Sequence, residues 1–193
     1  MRIIVTAFDP FKGLSENSSE YSLRHAHIDK SIKVKILSVD LNKTKEELCQ
    51  IIESNPDLLI MFGQSGKDPD IHIETRAHNI LNFKIKDNGG NIPTNLPIIE
   101  GGDEYLSTPI DYNELNEFLL KNNIPSKGSD NAGEFICNYS YYLALNSGIK
   151  CIFIHLPLLE TQDNNDLYHY LPNGILIKAV ELTIKYLENN YDN

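Results

Sequence analysis

Cys151-Ile152-Phe153-Ile154-His155-Leu156-Pro157 is an apolar run that delivers a histidine to its far end and stops at a proline. Short, continuous apolar runs bounded by polar or turn residues are the pattern of strands buried on both faces of a sheet. Residues 3–7, 34–39 and 58–62 repeat it. Between these runs lie helical periodicities over residues 19–27, 43–53, 112–121, 135–145 and 175–187. In the last of them Leu176, Ala179, Val180, Ile184 and Leu187 form an apolar stripe. Strands alternating with helices specify an α/β/α layered domain, expected to span 1–193 as a single domain. Residues 68–109 are different in character. They are rich in Asn, Gly and Pro, and are expected to form irregular hairpins and a long loop over the sheet edge.

Composition narrows the function. The chain has 193 residues, 41% of them hydrophobic, which suits one substantial core and is far from the disordered class. A formal charge of −10 argues against nucleic acid and anionic membrane surfaces as partners. The sequence has no long uncharged apolar stretch to span a membrane. Its N-terminal apolar run is too short for a signal peptide. Cys49, Cys137 and Cys151 form neither a close-spaced metal pattern nor an even set for disulfides, so a cytoplasmic location is expected.

The chemistry centres on Asn131-Ala132-Gly133-Glu134-Phe135-Ile136-Cys137-Asn138-Tyr139. Cys137 lies where a polar, glycine-containing stretch opens a helix. Free N–H groups and the positive end of the helix dipole there favour a reactive thiolate. His155, at the end of its apolar run, stands where α/β enzymes place a base. Cys49 and Cys151 read as inert packed residues. His25, His27 and His169 read as surface residues. Glu74, in Ile71-His72-Ile73-Glu74-Thr75-Arg76-Ala77-His78, supplies a carboxylate to orient an imidazole. Two other readings use the same residues. His72, Glu74 and His78 at period two suit a metal-dependent hydrolase, and a binding domain could keep the fold without catalysis.

Several segments taken together decide between these readings. They are Phe8-Asp9-Pro10-Phe11-Lys12-Gly13 with Asn17, Gly63-Gln64-Ser65-Gly66, Glu74 with Ala77 and Asn79, and Asp87-Asn88-Gly89-Gly90-Asn91. Ser107-Thr108-Pro109-Ile110, Asn131-Ala132-Gly133 with Cys137-Asn138-Tyr139, and Phe153-Ile154-His155-Leu156-Pro157 complete the set. In this order they resemble the pyroglutamyl peptidase I family of cysteine peptidases, which remove N-terminal pyroglutamate. The resemblance implies a mixed, largely parallel central sheet and a Cys137–His155–Glu74 triad without metal or cofactor. It also implies an acyl-enzyme pathway acting on N-terminally pyroglutamylated peptides, and it makes a homotetramer possible. It places Phe8 and Phe11 as a sandwich around the lactam, with Asn17 and Gln64 as polar positions nearby. Lys84 stands where the family usually has arginine near the oxyanion. Losing it is expected to cost roughly ten- to a thousandfold in turnover.

Overall fold

The computed structural model describes residues 1–162 and 169–191. Its elements run β1 (Ile3–Phe8), α1 (Ser18–His25), β2 (Lys33–Leu37), α2 (Leu41–Glu53), β3 (Leu58–Gln64), β4 (Ile71–Glu74) and β5 (Arg76–His78). They continue with β6 (Tyr105–Ser107), α3 (Tyr112–Lys121), β7 (Ser126–Ser129), α4 (Ile136–Asn146), β8 (Cys151–Leu156) and α5 (Asn173–Asn190). The central sheet has six strands in the order β2-β1-β3-β8-β4-β7. Neighbours are parallel throughout except at β4 and β8, which run antiparallel with His72 opposite His155.

Period-two alternation divides each central strand between two cores. Ile3, Val5, Ala7, Ile60, Phe62, Ile152 and Ile154 pack beneath α1, α3 and α5, with Leu23, Leu119, Leu176 and Val180. Ile4, Phe8, Leu59, Met61, Cys151 and Phe153 face α2 and α4, with Leu48, Ile51, Tyr141 and Tyr142. The result is the three-layer α/β/α sandwich, with its mixed, mostly parallel sheet, that the pattern and the resemblance imply. Among the described residues, no helix is long and apolar enough to cross a membrane.

Two expectations need correction. β2 is not buried on both faces. It pairs only with β1 at the sheet edge, and Lys33, Val34 and Lys35 are exposed. Cys49 is exposed rather than packed, because the core stripe of α2 is Thr44, Leu48 and Ile51 and position 49 falls outside it. The middle region does contain an antiparallel ribbon, β5 with β6. Its residues 71–74, whose alternation reads as a strand, form β4 inside the central sheet. The partner of β4 at the edge is Ser126-Lys127-Gly128-Ser129, whose polar composition hides a strand from any hydrophobic pattern.

Candidate active site

β1, β3 and β8 are parallel, so their C-terminal ends meet at one edge, where α/β sheets present functional groups. Phe8 ends β1, Gln64 ends β3 and His155 lies near the end of β8. β4 enters from the other direction and brings Glu74 alongside, paired across the ladder with Phe153. These strand ends and the start of α4 enclose a cavity of about 330 Å³, whose wall includes Phe8, Phe11, Asn17, Gln64, Glu74, Cys137 and His155. The three triad residues and the four expected lactam-pocket residues therefore lie on one cavity, whereas Lys84 and His78 do not.

Glu74 is fully buried, and its Oε1 lies 2.8 Å from His155 Nδ1. Burial alone pushes the Glu74 carboxyl up. The hydrogen bond and charge of His155, with smaller contributions from Ser129 and His72, outweigh it and hold Glu74 below its ordinary value. Burial alone would lower the His155 imidazole. The neighbouring Cys137, by charge and hydrogen bond, and then Glu74 overcome that and push it up to about 10. The Tyr141 hydroxyl donates to the Glu74 carbonyl at 2.9 Å and fixes the backbone behind the carboxylate.

Cys137 is half-buried in the first turn of α4. Asn17, Asp40 and Asp111 cap α1, α2 and α3 with their side chains, whereas Phe135 at the N-cap of α4 gives no side-chain hydrogen bond. The first N–H groups of α4 are thus left for a ligand beside Cys137. Gly133, at φ +84°, turns the preceding loop through backbone space that other residues rarely adopt. Gly63 is a second required glycine. A Cβ there would stand 2.7 Å from the Phe153 ring and 3.0 Å from Cys137 Sγ, so β3 passes directly under the thiol.

The remaining wall has a dual character. Phe8 is buried and packs against Phe153 with centroids 6.2 Å apart, so it belongs to the core and the cavity together. Phe11 is half-buried and faces Phe135 at 5.9 Å, and Phe135 in turn rests on Phe83 at 4.5 Å. Asn17 is a helix cap that also holds the cavity loop: Oδ1 accepts from Ser19 N at 3.0 Å, and Nδ2 donates to Asp9 O at 3.1 Å. Gln64 Oε1 accepts from Ser18 N at 2.6 Å. Its Nε2 has no hydrogen-bond partner among the described residues.

Lys84 does not line the cavity. Its side chain is 75% exposed, and its ammonium lies 3.7 Å from Glu134 Oε2, on the cavity wall. The metal-site expectation fails on geometry. His72 Nδ1 is 4.0 Å from Glu74 Oε1, but His78 sits on the separate β5–β6 ribbon with Nε2 3.0 Å from Asp130 O. Among the described residues, no three His, Cys, Asp or Glu side chains are grouped to hold a metal ion.

Sequence reasoning left two contributors unassigned. Asn138 Oδ1 accepts from His78 N at 2.8 Å and Nδ2 donates to His78 O at 2.9 Å, clamping α4 to β5 one residue after Cys137. A polar residue fully buried in a helix is the signal that points to such a clamp, but burial is not visible in sequence. Phe135 closes the wall opposite Phe11 and carried no signal beyond its place at the helix start.

A thiol and an imidazole held by a buried carboxylate, beside uncapped helix N–H groups, are the parts needed for acyl transfer by a cysteine nucleophile. The comparisons with known proteins agree with that chemistry. The family model for pyroglutamyl peptidase matches residues 1–188. Pyrrolidone-carboxylate peptidase 2 of Caldanaerobacter subterraneus subsp. tengcongensis is 36% identical, covering 96% of this chain and 95% of that protein. The pyrrolidone-carboxylate peptidase of Brachyspira hyodysenteriae is 34% identical, with 96% and 98% covered. Among solved structures, pyrrolidone carboxyl peptidase from Thermus thermophilus superposes with a TM-score of 0.89 at 29% identity, covering 96% of this chain and all of that one. Pyroglutamyl peptidase I from Bacillus amyloliquefaciens gives 0.91 at 27% identity, with 100% and 98% covered. With the family model matching nearly the whole length and relatives above 30% identity over almost all of both chains, this chain belongs to the pyroglutamyl peptidase family.

Proposed function

We propose that the chain hydrolyses the amide bond following an N-terminal pyroglutamyl residue, with Cys137 as nucleophile, His155 as acid and base, and Glu74 as the group that orients His155. The observation that carries this is the convergence of the three on one cavity with aromatic walls. Cys137 Sγ attacks the pyroglutamyl carbonyl carbon, and the first N–H groups of α4 stabilise the oxyanion. His155 protonates the departing amine as the C–N bond breaks. It then takes a proton from water, which attacks the thioester and releases pyroglutamate. Phe8 and Phe11 form apolar walls for the flat lactam, and Gln64 Nε2 is a donor for its ring carbonyl. A site with such a donor discriminates against proline, which has no ring carbonyl to accept the bond. Release of a chromogenic amine from a pyroglutamyl amide tests the reading. Turnover of the prolyl amide instead would overturn it.

The pH profile follows from His155. Its proton is needed for the leaving amine, and its raised value keeps that proton through the ordinary imidazole range. kcat/KM is therefore expected to fall on the alkaline side near pH 10. A fall centred near the unperturbed imidazole value, about 6.5, would detach His155 from the reaction.

Lys84 enters through Glu134. The pairing offsets a carboxylate on the cavity wall, which suits a substrate lacking an N-terminal ammonium. An exposed ion pair contributes about 1 kcal/mol at most, so Lys84→Ala is expected to lower kcat/KM by about fivefold or less. That is well under the loss for a direct oxyanion donor. Steady-state kinetics distinguish the two, and a hundredfold loss would restore the direct role. A cytoplasmic location, supported by three free cysteines, and a homotetramer, supported by the family resemblance, complete the proposal.

A further inference from the structure

A pyroglutamyl substrate has no chain before the lactam, so the rest of the peptide leaves the site on the side of the departing amine. Beside the candidate active site lies a second cavity, of about 440 Å³, which shares Phe11, Gln64, Ser65 and Lys67 with it. The rest of its wall is formed by Lys12, Leu14, Gly66, Ile85, Leu158 and Gln162, with Leu14, Ile85 and Leu158 supplying its apolar side chains. Leu158 is buried three positions beyond His155, on the continuation of β8, with its N–H donating to His169 O at 3.1 Å. Leu14 is turned back toward Phe11 by a tight turn in which Lys12 and Gly13 have φ of 58° and 73°, and Leu14 N donates to Phe11 O at 3.1 Å.

We infer that this second cavity receives the side chain of the residue that follows pyroglutamate, and that it selects large apolar side chains there. The inference rests on the activity proposed above. Continuity through Phe11 and Gln64 supports it: a lactam seated against these residues leaves its neighbour at the mouth of the apolar cavity. Burying the extra methylenes of leucine in place of alanine adds binding that persists in the transition state, so the effect appears in kcat/KM.

The test compares pyroglutamyl-leucine amide with pyroglutamyl-alanine amide. The leucine substrate is expected to be cleaved about tenfold more efficiently. Leu14→Asp and Ile85→Asp are each expected to remove that advantage while leaving the alanine substrate unchanged, which also serves as the control for folding. Equal kcat/KM for the two substrates, or equal losses on both in both variants, would overturn the subsite alone. Failure to cleave either substrate would remove the peptidase reading, and this inference with it.

Discussion

Cys137→Ala is expected to abolish turnover of a pyroglutamyl amide while leaving the fold in place. Loss of a triad nucleophile typically lowers kcat on the order of a millionfold. The structural cost is small: alanine suits a first helical turn, and the thiol is half-buried with Gly63 beneath it. Iodoacetamide labelling followed by peptide mapping separates a nucleophile from a merely accessible thiol. Cys49 is the exposed cysteine, and Cys151 is fully buried with its thiol pushed up by burial. Cys137 is less accessible than Cys49, so faster labelling at Cys137 is expected only if His155 activates it. Cys49 labelled first, together with retained turnover in Cys137→Ala, would remove Cys137 from the reaction.

Glu74→Gln is the second large effect. Glutamine keeps the shape and an oxygen facing His155 Nδ1, but not the charge that supports the imidazolium. By analogy with other triads, kcat is expected to fall on the order of ten-thousandfold with little change in KM. Stability carries a separate signature. The Glu74 carboxyl is held below its ordinary value, so its contribution is present above the unfolded carboxylate pKa and lost as pH falls through the lowered folded one. His155, pushed up to about 10, contributes stability below about pH 6.5 that is lost as pH rises through the folded value. Glu74→Gln should flatten the acid side of this dependence and weaken the alkaline side. Thermal unfolding across pH, run beside the kinetics, reads both. Turnover equal to that of the unmodified protein would exclude Glu74 from the triad.

Which segments are strands and which are helices was decided locally. Residues 151–155 and 58–62 carry unbroken apolar runs, and residues 175–187 carry a 3.6-residue stripe. These periods follow from backbone geometry, and neighbouring residues suffice to express them. The same local reading marked Cys137 at a helix start and His155 at a strand end. It failed where the deciding contact is remote. Residues 126–129 are too short and too polar to announce a strand, and the alternation of residues 71–74 marks a strand without placing it inside the central sheet. Pairing with β8 on one side and β7 on the other sets β4 inside the sheet, where Glu74 is sealed from solvent. Sheet order decided that β2 is an edge and that Val34 faces water.

By itself, then, the sequence determined the α/β alternation, the helix that opens at Cys137 and the residue types of a thiol acyl-transfer site. Tertiary structure decided the antiparallel entry of β4, which sets Glu74 2.8 Å from His155. It also decided the missing side-chain cap on α4, the exposure of Cys49, the displacement of Lys84 from the cavity wall and the second cavity behind Phe11. The physical reason is range. Periodicity and capping act over one or two turns of chain, whereas strand order, register and cavity shape arise from contacts between residues 81 positions apart, as with Glu74 and His155.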